Sequence, residues 1–264
     1  MMKLICLNIW GGKIHDKVLE FIKTKASETD IFCLQEIFKS EKEMVISKGA
    51  YSNIKREVEE ILIDFNGYFY PTADNGDLNG YVDFPLYFGQ ETFVKKDINV
   101  LDVGDVFIHK KLNDFGLYPN KKPDFPRNFI YTLLEKNGKK FLVLNVHGFW
   151  EPAAKVDNPK RFRQSQIILD FIEKYDIPKV VAGDFNLRIT TKALSMLDEK
   201  LRNLVKEYKI PTTRSLLYDH KWRVENDDKY ADYIFVSRDV QVLDFKVLQD
   251  QVSDHLPLYL EFEI

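Results

Sequence analysis

Apolar positions fall along this chain in two patterns, and the alternation between them lays out the elements. Lys3 to Ile9 is a nearly unbroken apolar run, the pattern of a strand covered on both faces. It stops at Trp10-Gly11-Gly12, a loop signal. Asp16 to Ala26 carries Val18, Leu19, Phe21 and Ile22 at helical spacing, and Asp30 to Gln35 is a second buried-strand run. Strand, helix, strand implies a parallel pair joined by a right-handed crossover. Glu41 to Lys48 and Arg56 to Ile63 are read as helices, Phe65 to Tyr70 as extended, and Asp74 to Gly80 as a polar loop. Glu91–Lys95, Val100–Ile108, Asn128–Glu135 and Lys140–Val146 read as strands, with a hairpin turn at Asn137-Gly138. Arg161–Lys174 is an amphipathic helix, Lys179–Ala182 a short strand ended by Gly183, and Lys192–Glu207 helical. Tyr233–Val236, Val240–Leu248 and Leu258–Phe262 close the chain as strands. Crossovers mixed with hairpins fit an α/β fold in which two mixed sheets pack together with helices outside. The chain shows no internal repeat and no low-complexity linker, so 1–264 is read as a single domain.

Composition changes this picture little. Hydrophobic residues make up 45% of 264 residues, enough for a large core. The formal net charge of -3 does not advertise a basic nucleic-acid footprint, although a local cleft can carry positive potential that the total hides. Cys6 and Cys33 sit in apolar runs and are read as inert buried thiols, with no zinc spacing between them. The first residues lack the length and cleavage site of a signal peptide, and no apolar stretch approaches the ~18 residues of a membrane span. A soluble, cytoplasmic monomer is expected.

Polar residues punctuate the strand ends. Asn8 follows KLICL, Glu36 follows DIFCLQ, His147 follows FLVLNV, and Asp184 and Asn186 follow VVAG. Asp232 opens an apolar run, and Asp254-His255 follows QDQV. Side chains at the ends of buried strands converge on one rim when the strands share a packing. The residue types suit one chemistry. A hard divalent cation takes carboxylate and amide oxygens, which Glu36, Asn8 and Asp254 supply. A reacting phosphoryl group needs positioned donors and charge neutralisation, from the metal, Asn186 and protonated imidazoles. An imidazole–carboxylate pair, His255 with Asp232, provides a base for water.

The segments LNIWGG, LQEI, NVHG, GDFN, ADYIFVS and SDHLP together resemble the endonuclease/exonuclease/phosphatase superfamily, the DNase I-like fold. The resemblance runs from Asn8 to Pro257 in the family's order. It implies a four-layer αββα sandwich and a Mg²⁺-dependent (or Mn²⁺-dependent) phosphoesterase using in-line attack by water. It implies that Glu36 is the main metal carboxylate, with Asn8 beside it and Asp254 as a further ligand. Asp184 then orients the water, Asn186 contacts phosphate, Asp232 orients His255, and His147 contacts phosphate or acts as an acid. The middle of the chain departs from the family pattern. FGQETFVKK stands where many relatives have a small-residue strand, and Glu91 is the candidate there to pair with His147.

Each candidate has a plainer reading. Asn8 can be a turn former, His147 a satisfied core histidine, and Asp184 a helix cap. Trp10 and Trp150 either wall the cleft or pack. Arg161 and Arg163 reach phosphate or are solvated. Arg214 with Thr213, and Lys221-Trp222-Arg223, are recognition candidates because loops near a site set specificity. Asn75, Asp77 and Asn79 resemble the start of a calcium loop, but its twelfth position is Leu86, so a polar turn is expected. Lys110, Lys111, Lys121, Lys122 and Arg127 are interleaved with Phe115, Tyr118 and Phe125. They are read as a solvated loop rather than a stacking platform for nucleic acid. Two substrate classes stay open: a nuclease substrate, DNA or RNA, and a small-molecule or lipid phosphate ester. A silent binding module on the same fold is the rival from outside enzymology.

Overall fold

The computed structural model describes residues 1–118, 120, 122–153, 155–221 and 228–264. Trp222, Arg223 and Lys121 lie outside the described residues. Strand β1 (Met2–Asn8) leads through α1 (His15–Ala26) to β2 (Ile31–Lys39). Then come α2 (Ile54–Ile61), β3 (Phe65–Asp74), β4 (Tyr87–Lys95), β5 (Asn99–His109), β6 (Arg127–Lys136) and β7 (Lys139–His147). Helix α3 (Pro159–Ile172) crosses to β8 (Lys179–Asp184). The remainder is α4 (Lys192–Asp198), β9 (Arg202–Asn203), α5 (Leu204–Glu207), β10 (Asp232–Val236), β11 (Gln241–Val247) and β12 (Leu258–Glu263).

Two six-stranded mixed sheets result, ordered β11-β12-β1-β2-β4-β3 and β9-β10-β8-β7-β6-β5. Each contains one parallel pair, β1 with β2 and β7 with β8, and each pair is bridged by a helix. The crossovers read from the sequence are therefore present twice. Alternate residues of β1 go to opposite layers, as the period of two requires. Ile5 and Leu7 pack with Val18, Phe21 and Ile22 of α1, while Leu4 and Cys6 join the core shared with the second sheet. That double burial explains why the strands read as unbroken apolar runs.

A polar seam crosses the sheet–sheet interface. Gln35 Nε2 donates to Asn145 Oδ1 at 2.6 Å, and Asn145 Nδ2 donates to the Glu91 carbonyl at 3.0 Å and to Thr92 Oγ1 at 3.2 Å. Gln90 Nε2 donates to Asn128 Oδ1 at 2.8 Å. Apolar side chains also cross this interface, with Phe141 against Phe262.

Two expected helices do not form as read. Glu41 to Lys48 is a turn closed by a bridge between Val45 and Tyr51, because Lys48 takes a left-handed φ of 59° next to Gly49. Lys192 to Glu207 is broken. Asp198 ends α4, Arg202 and Asn203 pair with β10, and Asn203 caps α5 by accepting the Lys206 amide. Cys6 and Cys33 are neighbours in register, free and buried, and burial raises both thiols. Asp77 accepts the amides of Asn79 and Gly80, which makes that loop the polar turn expected. Among the described residues no helix is long and apolar enough to cross a membrane.

Candidate active site

Four strand ends meet at one edge of the sandwich. Asn8 closes β1, while His147 and Asp184 close β7 and β8 and are paired in register; Asp232 opens the antiparallel β10 opposite Asp184. Glu36 arrives by a different route. A bulge between Gln35 and Ile37 breaks the register of β2 with β4, and Glu36 takes φ 58°. Trp10 (φ 55°) and Asn186 (φ 53°) are also left-handed, so backbone strain collects at this edge. Gly183 at φ 153° lets the GDFN turn form, since a Cβ there would lie 2.0 Å from the Val146 carbonyl oxygen.

Asn8 ties the sheets together, its Nδ2 donating to Glu36 Oε1 and to Asp184 Oδ2, both at 3.1 Å. Asn8 Oδ1 accepts the Trp10 amide at 2.9 Å, and its carbonyl accepts the Ser253 hydroxyl at 2.7 Å. Asp184 Oδ1 accepts the Asn186 amide at 2.9 Å. His147 Nε2 lies 3.9 Å from Glu36 Oε1. On the far wall, His255 Nδ1 bonds Asp232 at 2.8 Å, and its Nε2 faces Asp184 Oδ2 at 3.7 Å and Asp254 Oδ1 at 3.8 Å. Arg214 donates to that Nε2 and lies 3.6 Å from Asp254 Oδ2. The cleft lined by Glu36, His147, Asp184, Asn186, Arg214, Asp254 and His255 has a volume of ≈ 230 Å³, with Trp10 and Trp150 also in its walls and Asn8 and Asp232 bonded behind them.

Burial governs the electrostatics. It raises the Glu36 carboxyl, helped by the Asp254 charge. It raises Asp232 to about 7 and lowers His255 to about 4, and Arg214 adds to the lowering of the imidazole. His147 is pushed well below its usual value by burial and then by Arg127 and His255. Burial thus favours the neutral form of both imidazoles, and the Arg214 donation to His255 Nε2 requires a lone pair there. Arg127 and Arg214 bring positive charge to the same cleft.

Three carboxylates, Glu36, Asp184 and Asp254, line this cleft, and burial and then the Asp254 charge raise Glu36. Oxygen donors of that kind fit a hard divalent cation. Asp184, Asp232 and His255 also place ligand atoms within 4.8 Å of one another, but the short His255–Asp232 bond already commits that imidazole.

The structure thus gathers Asn8, Trp10, Glu36, His147, Trp150, Asp184, Asn186, Asp232, Arg214, Asp254 and His255. It does not bring Glu91 or Arg161 to the cleft. Glu91 is buried on the face of β4 opposite His147, where Lys55 of α2 lies 3.7 Å away and burial raises the carboxyl to about 8. One position along, Gln90 takes the inward direction, so the loose register of FGQETFVKK explains the miss. Arg161 is buried under the loop after β7, donating to the Val156 carbonyl at 2.8 Å. Arg163 is exposed. The solvated-loop reading fails at Arg127, which is buried in the cleft wall over Phe88 and Phe125, and at Lys110, which is half-buried and paired with Asp124. It holds for Lys111 and Lys122, both exposed, although Lys122 also lines the cleft. Lys13, Tyr218 and Lys155 went unsingled in the sequence, because no motif marks a lone cation or ring in a loop.

A two-sheet sandwich with a carboxylate and imidazole rim at the strand ends defines a class, and the sequence comparison agrees with it. Residues 5–255 match the profile of the Endonuclease/Exonuclease/phosphatase family, and the chain belongs to that family. The CCR4-Not complex 3'-5'-exoribonuclease subunit Ccr4 of Emericella nidulans is 24% identical, aligning with 57% of this chain and 22% of its own. A phospholipase C of Staphylococcus aureus is 29% identical, aligning with 44% of this chain and 38% of its own. The chain thus spans under two fifths of these relatives. The solved mannosyl-6-phosphatase of Bacteroides thetaiotaomicron superposes with a TM-score of 0.71 at 16% identity, covering 100% of both chains, which establishes the shared fold.

Proposed function

We propose that this protein is a divalent-metal-dependent phosphoesterase that hydrolyses its substrate by in-line attack of water. The observation that carries the reading is one cleft joining Glu36, Asn8 and Asp184 to the buried His255–Asp232 pair. Glu36, Asn8 and Asp254 would hold Mg²⁺ (or Mn²⁺). Bound there, the ion would draw charge from the phosphoryl oxygens and lower the barrier to displacement.

The remaining work falls to the chain's own groups. Asp232 accepts the Nδ1–H of neutral His255, which leaves the Nε2 lone pair for the proton of the attacking water. Arg214 occupies Nε2 in this structure, so its guanidinium shifts to the phosphoryl oxygens when water takes that place. Asp184 orients the water, while Asn186 and neutral His147 donate hydrogen bonds to the phosphoryl oxygens.

A phosphodiester of the nuclease type is the substrate class we favour. The tryptophans in the cleft walls and the exoribonuclease relative support it. A small or lipid phosphate ester is the second reading, supported by the narrow cleft and by the phospholipase C relative. Hydrolysis of DNA, RNA, inositol phosphates and phospholipids should be compared with Mg²⁺ present. Chelation with EDTA should abolish turnover and Mg²⁺ restore it, and Glu36→Gln should lower kcat/KM on the order of 10³-fold. Undiminished hydrolysis by the Glu36→Gln protein would refute the metal assignment.

A further inference from the structure

A second cleft opens beside the catalytic one and shares Trp10, Lys122, Trp150 and Tyr218 with it. Lys155 lines this side cleft but not the catalytic one, with Lys13 and Lys48 shared between the two; the carboxylates Glu151, Asp219 and Asp228 face the side cleft as well, and Asp254 lies between both. Conversely, Glu36, Asp184 and His255 do not line the side cleft. Lys155 is almost wholly buried, and its Nζ has no hydrogen-bond partner among the described residues. An ammonium sealed from water in that condition costs free energy unless an anion meets it.

Asp228, with Asp184 and Asp232 behind it, offsets part of that cost, but none of the three accepts a hydrogen bond from Lys155 Nζ among the described residues. Asp228 lies 3.6 Å from Lys155 Nζ, but its oxygens already take the Arg188 guanidinium and the Tyr218 hydroxyl, each at 3.1 Å. One carboxylate thus faces two cations. Arg214, stacked 4.1 Å from the Tyr218 ring centroid, adds further positive charge. Lys122 approaches the Trp150 ring from the same side cleft, at 5.9 Å from its centroid.

We propose that Lys155 is a specificity residue that binds a second phosphate of the substrate, one cleft away from the phosphate being hydrolysed. The substrate class is therefore a phosphate ester carrying two phosphate groups, with its intervening sugar or base against Trp10 and Trp150. This inference rests on the hydrolase reading above.

Thymidine p-nitrophenyl phosphate esters give a direct test, with and without a free phosphate on the other hydroxyl and in both orientations. In the wild type, with Mg²⁺, the added phosphate lowers KM about tenfold in one orientation. Lys155→Met abolishes that gain, leaves KM and kcat for the plain esters within about twofold, and Lys155→Arg restores most of it. A Lys155→Met effect of equal size on plain and phosphorylated esters, or a KM gain in neither orientation, overturns the proposal. If the wild type hydrolyses none of the esters, the nucleotide-type substrate reading fails while the hydrolase reading is decided by the wider substrate panel above, and calorimetry with inorganic pyrophosphate decides on Lys155 alone. Weaker pyrophosphate binding by Lys155→Met than by wild type then upholds the anion site, and equal binding overturns it.

Discussion

Lys155 shows at the scale of one residue what a site of this kind costs the fold. Burial, and then the Arg214 charge, push its ammonium down to about 8 from an ordinary 10.5. The folded chain therefore binds this proton less tightly than the unfolded chain, and stability rises with pH across that window. The penalty is full below about pH 8 and gone above about 10.5, with a size on the order of 1–3 kcal/mol. Lys155→Met should accordingly be more stable than wild type at pH 7, and the difference should disappear near pH 10.5. Urea midpoints at the two pH values check it; a variant less stable at pH 7 would contradict the account. Arg214 and Arg127 carry the same lesson in another form. Their positive charge sits beside imidazoles that burial holds toward the neutral form; Arg214 was marked in the sequence by its loop, while Arg127 was read only as one cation of a solvated run.

At the scale of elements, the turn after β8 is the most demanding piece of backbone. Gly183→Ala would force a Cβ into the Val146 carbonyl at a φ that side chains rarely adopt. We expect a loss of roughly 3 kcal/mol or more, and about 10²-fold in kcat because Asp184 and Asn186 ride on that turn. Thermal melts and initial rates measure both. The strand-end residues were legible because an apolar run that stops at Asn, His or Asp is a pattern of the chain itself. The bulge that turns Glu36 into the cleft was not, since the register of β2 against β4 depends on a partner more than fifty residues away. Glu91 was misplaced for that same reason. The helix expected at Glu41 to Lys48 failed on a local event, the left-handed Lys48, while Lys192 to Glu207 lost its middle to pairing with β10.

For the whole molecule, the cleft draws on both sheets, so neither half has a complete site. We propose that the two sheets form one cooperative unit over 1–264. Far-UV circular dichroism and tryptophan fluorescence should then report coincident unfolding transitions, and separated ones would show two independent bodies. The seam of Gln35, Asn145, Gln90 and Asn128 has its own effect on this arrangement. Leucines and phenylalanines alone would let two sheets slip past each other by fractions of an ångström with little change in energy. Amides bonded across the gap favour a single alignment, because an offset breaks the Gln35–Asn145 and Gln90–Asn128 hydrogen bonds in a buried setting. They act as dowels beneath the cleft, setting the span between Glu36 on one slab and Asp184 on the other.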